Sequence, residues 1–170
     1  MMRPTAAQRL DLWIRQSTPM ALTAILAVLS VITIGIPGYA SVVPGYTAMA
    51  TFYWAVFRPD LQPASALFLI GVLQDILTGT PLGLTAVSLL LLHAFALSQR
   101  RALITKPFLL TWVGFMLIQL PVSILAWMMM SMLQFRLVGP EPALFQYLVT
   151  VLGFPVVAWL FVRLHRYVVR

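Results

Sequence analysis

The feature that most constrains this chain is the length of its uncharged runs. A helix needs roughly 20 residues, rising about 1.5 Å each, to cross a hydrocarbon core about 30 Å thick. Residues 16 to 57 carry no Asp, Glu, Lys or Arg, residues 61 to 99 carry only Asp75, and residues 107 to 135 and 142 to 162 carry none. Ile36-Pro37-Gly38 and Pro44 interrupt the first run, and Gly79-Thr80-Pro81-Leu82-Gly83 interrupts the second. Such Pro and Gly clusters punctuate helices. The reading is therefore an all-α integral membrane bundle of six transmembrane helices, near 17 to 36, 41 to 57, 62 to 78, 83 to 98, 107 to 135 and 142 to 162. The fifth exceeds one crossing, so it is expected to tilt, or to kink at Pro121.

Composition agrees, with 61% hydrophobic and 9% charged residues and a mean hydropathy of +0.95. Ordinary soluble domains carry about 25% charged residues. The net charge of +7 suggests nucleic acid at first sight. The basic residues, however, fall in ones and twos between apolar runs, which excludes a basic binding surface and points to topology instead. Cysteine is absent, which removes disulfides, thiolate metal sites and cysteine nucleophiles.

Lys and Arg near the ends of membrane helices prefer the cytoplasmic side. With six crossings, Arg3, Arg9, Arg15, Arg58, Arg100, Arg101, Lys106, Arg163, Arg166 and Arg170 share the N-terminal side and only Arg136 lies opposite. Both termini are thus expected in the cytoplasm. The short second helix, with Pro44 and Gly45, leaves five crossings open, but these would put Arg100, Arg101 and Lys106 outside. The expected organisation is a cytoplasmic segment over residues 1–16, one transmembrane domain over 17–165 and a cytoplasmic tail over 166–170. Arg3, Arg9 and Arg15 imitate the basic region of a signal peptide, but the apolar stretch after them is too long for its core, so the segment is read as uncleaved.

An ionisable residue within a membrane helix costs on the order of 3 kcal/mol, so Asp75 needs an account. Gly71, Asp75 and Gly79 recur at intervals of four and share one stripe of the third helix. The stripe is short, because Leu67 occupies the turn before it. Two readings stand: the stripe docks against another helix or another protein, with Asp75 accepting hydrogen bonds there, or Asp75, near the outer helix end, caps the turn that follows. His93 lies roughly 10 Å deeper than Asp75 along the membrane normal. It is expected to pack between helices and bond a backbone carbonyl or hydroxyl rather than to relay protons. Met128, Met129, Met130 and Met132 read as lipid-facing filler or an adaptable docking surface. Trp54, Trp112, Trp127 and Trp159, with Tyr53 and Tyr147, read as interfacial anchors. The four acids are Asp11, Asp60, Asp75 and Glu141, and no metal cluster, phosphate loop or catalytic set is visible. Neither an enzyme nor a cofactor is expected.

The stretch Phe57-Arg58-Pro59-Asp60, followed by Gly71-Val72-Leu73-Gln74-Asp75-Ile76-Leu77-Thr78-Gly79-Thr80-Pro81-Leu82-Gly83, resembles the rod shape-determining protein MreD family. The match runs over residues 53 to 90, and the rest agrees in length and hydropathy. This resemblance implies a non-enzymatic scaffold or adaptor in the bacterial inner membrane, a multi-pass component of the elongasome that regulates lateral peptidoglycan synthesis and rod cell shape. It implies MreC as partner, MreB and wall synthases as direct or indirect partners, and a fold like the substrate-binding S-component of energy-coupling-factor transporters. On this reading Gly71, Asp75 and Gly79 form the MreC contact, Arg58 and Asp60 close its cytoplasmic end, and Pro81, Leu82 and Gly83 make the structural turn. A homodimer is a further partner reading. The alternative is a vitamin-binding transporter subunit, which would need an outward polar pocket. The outer loops offer Tyr39, Tyr46, Gln134, Arg136 and Glu141, and Ala21, Ala24 and Ala27 stand three apart where such subunits carry an alanine pair four apart.

Overall fold

A computed structural model of the chain describes residues 19–30, 43–135 and 139–168, with side chains up to residue 163. Arg3, Arg9, Arg15, the turn at Ile36-Pro37-Gly38, Tyr39, Arg136 and Arg170 lie outside the described residues, as does the side chain of Arg166. All regular structure among the described residues is helical. The α-helices are α1 (Pro19–Ser30), α2 (Tyr46–Phe57), α3 (Ala64–Thr78), α4 (Leu84–Leu103), α5 (Phe108–Leu133) and α6 (Glu141–Val168), with a 3-10 turn at Pro59–Leu61 before α3.

Pro and Gly set most boundaries. Pro63 and Pro107 stand extended immediately before α3 and α5, where a fixed φ and a missing N–H cost nothing. Helix α4 runs past its expected end and takes in Arg100 and Arg101, because cations in a last turn complement the helix dipole. Helix α5 continues through Pro121 and α6 through Pro155. Two helical stretches, Phe108–Leu133 and Glu141–Arg163, are long and apolar enough to cross a membrane.

Contacts along the helices fix their relative directions. Gln62 Nε2 donates to Thr23 Oγ1 at 3.2 Å and Gln74 Nε2 to Ser30 Oγ at 3.3 Å, so α1 and α3 run parallel. Gly45 N–H meets Thr150 Oγ1 at 2.8 Å while Tyr53 and Trp54 pack on Phe161, so α2 and α6 run parallel. Trp112 Nε1–H donates to the Val151 carbonyl and the Tyr147 hydroxyl to that of Met116, which makes α5 and α6 antiparallel. Short turns join α3 to α4 and α4 to α5, so direction alternates through the six helices. Arg58, Arg100, Arg101, Lys106 and Arg163 consequently share one end of the bundle, and Glu141 and the α3–α4 turn share the other.

Helix α2 is the centre. Its 12 residues extend only about 18 Å, and every residue from Met49 to Val56 is buried. Phe52 packs on Phe115 and Phe154, whose rings stack at 4.4 Å between centroids. This corrects the aromatic-belt expectation for Tyr53 and Trp54, which are 4% and 1% exposed. In a medium as apolar as the core, a central helix carries its aromatics inward without any sequence mark. Trp159 is exposed and lies under the Arg163 guanidinium at 5.0 Å. His93 is buried, but its Nδ1 has no hydrogen-bond partner among the described residues.

Candidate functional site

The turn joining α3 to α4 is built around Asp75. One turn before the end of α3, its carbonyl accepts the N–H groups of Gly79 and Thr80, a Schellman-type close that requires the left-handed φ of 69° found at Gly79. A Cβ on Gly79 would meet nothing within 4 Å. Glycine stands there for its φ, not for space. Gly83 repeats the device at φ 95° immediately before α4.

The Asp75 carboxylate spans the hairpin. Oδ1 accepts the Thr80 hydroxyl at 2.9 Å and Thr85 N–H at 3.0 Å, and Oδ2 accepts Gly83 N–H at 2.8 Å, sharing Thr85 N–H at 3.2 Å. The side chain of one helix thereby caps the N-terminus of the next. A carboxylate is suited to this, because the first N–H groups of a helix lack internal acceptors and carry the positive end of its dipole. Asp75 is 0% exposed, and both of its oxygens accept hydrogen bonds. This geometry is the capping alternative for Asp75.

One turn earlier, the two backbones approach closely at Gly71. A Cβ built there would stand 2.4 Å from Ala86 Cα and 2.7 Å from Ala86 N. The helix that docks on the Gly71–Asp75 stripe is thus α4 of the same chain. Gly71, Asp75, Gly79 and Gly83 act together as one seam, with Pro81 half-buried and Leu82 standing out at 72% exposure. Arg58 and Asp60 are not part of it. They sit before α3, a helix of 15 residues and about 22 Å. Arg58 is half-buried at the end of α2, and Asp60 is exposed in the 3-10 turn.

Thr80 and Thr85 belong to the site although the sequence reading passed over them. The signal was available in Thr80, a hydroxyl inside the Gly-Thr-Pro-Leu-Gly turn, and less so in Thr85, which contributes only its backbone. The outward face of the hairpin carries Leu73, Ile76, Leu77 and Leu82, all exposed. No group of three potential metal ligands occurs among the described residues. Tyr46 is half-buried at the start of α2, and Gln134 and Glu141 are exposed near the ends of α5 and α6.

A model of the family described as rod shape-determining protein MreD matches residues 13–165. No curated protein and no solved structure matches the chain.

Proposed function

The chain belongs to the MreD family of shape-determining membrane proteins, and from that membership we propose that it is a non-enzymatic scaffold of the bacterial elongation machinery. On this reading the outward face of the α3–α4 hairpin receives the transmembrane helix of MreC, and through it MreB and the wall synthases. The observation that carries the reading is the hairpin itself. Gly71 and Asp75 spend their close approach and their hydrogen bonds inside the chain, which leaves Leu73, Ile76, Leu77 and Leu82 as a preformed apolar ridge. Gly71, Asp75 and Gly79 then act as positioning residues for the ridge, and Pro81, Leu82 and Gly83 as its tip. Arg58 and Asp60 mark the opposite end of the same helix.

The proposed setting is the inner membrane, multi-pass, with the transmembrane domain at 17–165 and both termini in the cytoplasm. Alternating helix directions support this, as does the gathering of Arg58, Arg100, Arg101, Lys106 and Arg163 at one end, which the positive-inside tendency assigns to the cytoplasm.

The test is co-purification in mild detergent from a rod-shaped bacterium. Wild type is expected to retain MreC and wall synthases, Gly71→Leu to lose them by spreading the hairpin, and Ile76→Trp to lose them by changing only the exposed ridge. Retention by Ile76→Trp and by a companion Leu73→Trp variant would remove the ridge from the contact. Recovery of transporter ATPases in place of MreC would overturn the scaffold reading.

A further inference from the structure

We propose that α6 is a two-part helix hinged at Gly153–Pro155, and that the indole of Trp112 on α5 is the latch that holds its outer half closed. The device belongs to the bundle itself and does not depend on MreC binding. A proline inside a helix brings no N–H to the carbonyl four residues before it. For Pro155 that carbonyl belongs to Val151, which is 4% exposed. In a membrane bundle a backbone group freed in this way has to be met by a neighbouring helix. Trp112 meets it: its Nε1–H donates to the Val151 carbonyl at 2.8 Å. A bond within α6 is thus exchanged for one between α5 and α6, and a helix lacking a rung bends at that point more readily than elsewhere.

The two sides of the hinge are fastened differently. On the inner side, Ala158 and Phe161 are buried, and Phe161 packs its ring on Tyr53 and Trp54 of α2. On the outer side the fasteners are hydrogen bonds. Thr150 Oγ1 accepts Gly45 N–H at 2.8 Å, Gln146 Nε2 donates to the Val43 carbonyl at 3.4 Å, and the Tyr147 hydroxyl donates to the Met116 carbonyl at 3.1 Å. Leu144, Phe145, Leu148 and Leu152 of this half are exposed. One such bond between membrane helices changes an equilibrium only about threefold on average.

At the joint itself, a Cβ on Gly153 would stand 3.1 Å from Met49 Cε, so the backbone of α6 rests on α2 there and pivots against it. The arm from Glu141 to Leu152 is about 18 Å long, and a bend of about 20° carries its tip about 6 Å. Released, the arm leaves Gly45 and opens the outer end of the bundle beside the start of α2.

Distances between paired nitroxide labels on the full chain in lipid nanodiscs test this, and a sequence without cysteine takes labels only where they are introduced. Leu144→Cys with Leu82→Cys reports the arm, and Leu160→Cys with Leu69→Cys reports the base, all four being exposed positions. With Trp112 in place, the arm pair is expected to show one main distance and a minor population displaced by up to about 6 Å. Trp112→Phe should raise that minor population about threefold and leave the base pair unchanged. Pro155→Ala returns an N–H to the Val151 carbonyl, so the minor population should vanish, and Trp112→Phe should then have no effect. An arm pair indifferent to Trp112→Phe would overturn the proposal, as would a response of full size in the Pro155→Ala background. An equal response of the base pair would also overturn it, because α6 would then be loosening as a whole.

Discussion

The two helical hairpins of this bundle are held by different physics. In α3–α4 the backbones touch at Gly71 and Ala86, and one carboxylate collects a hydroxyl and two N–H groups across the turn. In α5–α6 two long helices meet through ring stacking of Phe115 on Phe154 and through single bonds from Trp112 and Tyr147 to backbone carbonyls. Of the residues in α5, only Thr111, Phe115 and Val122 are buried. The difference matters because lipid is as apolar as a protein core, so transferring a Phe from one to the other releases little free energy. What remains to hold a seam is dispersion, close approach and polar satisfaction. The α3–α4 hairpin uses the last two and the α5–α6 hairpin mostly the first.

The largest expected effect is therefore at Asp75. Asp75→Ala leaves Gly83 N–H and Thr85 N–H without their acceptor, while the Thr80 hydroxyl keeps Thr78 Oγ1 at 2.9 Å, and an unmet buried donor costs about 1–3 kcal/mol. Partial access of water to the turn keeps the total near about 3 kcal/mol. Unfolding in a mixed-detergent titration, compared with wild type, measures it. Asp75→Asn retains an acceptor oxygen and should lose about half as much. If the two variants were equally stable, the charge would matter and the geometry would not. If neither differed from wild type, the contrast between the hairpins would fail.

The sequence made this seam legible in part. Charge-free lengths and the Pro and Gly clusters located all six helices, because crossing length and helix punctuation are local properties. Asp75 was readable as either a cap or a contact, since the partners of a cap at Gly83 and Thr85 lie only one turn of chain away. Which reading held depended on how the chain reverses at Gly79 and Gly83. The central position of α2 was not readable. Tyr53 and Trp54 sit near the end of their segment, as interfacial anchors do, and only the packing of Phe161 against them reveals an interior helix. For the same reason nothing in the sequence marks Gln62, fully buried beside Thr23, as different from a polar residue at a helix start.

Next in size is Phe115→Ala. In a soluble core, Phe→Ala costs about 3–5 kcal/mol, of which a large part is transfer of the ring to water. Here the unfolded reference keeps the ring in detergent or lipid, so the expected loss is about 2 kcal/mol, from contacts with Phe52 and Phe154 and the cavity left behind. The same titration reads it. A loss above that of Asp75→Ala would mean that stacking, not polar satisfaction, is the stronger fastener.

The smallest effect sharpens the comparison most, because it separates conformation from contact within the first hairpin. Gly79 has φ 69° and open space around a Cβ, so Gly79→Ala adds no clash and removes no hydrogen bond. It should cost about 1 kcal/mol, the strain of a left-handed alanine. A double variant with Asp75→Asn tests whether the two parts of the turn act as one. If the carboxylate holds the chain reversal that the glycine permits, the losses should be less than additive, because a turn already loosened at Asp75 can relax the φ that alanine resists. Additive losses would mean that the Gly79 close and the Asp75 cap are independent, and that α4 would start at Leu84 whatever the end of α3 adopts.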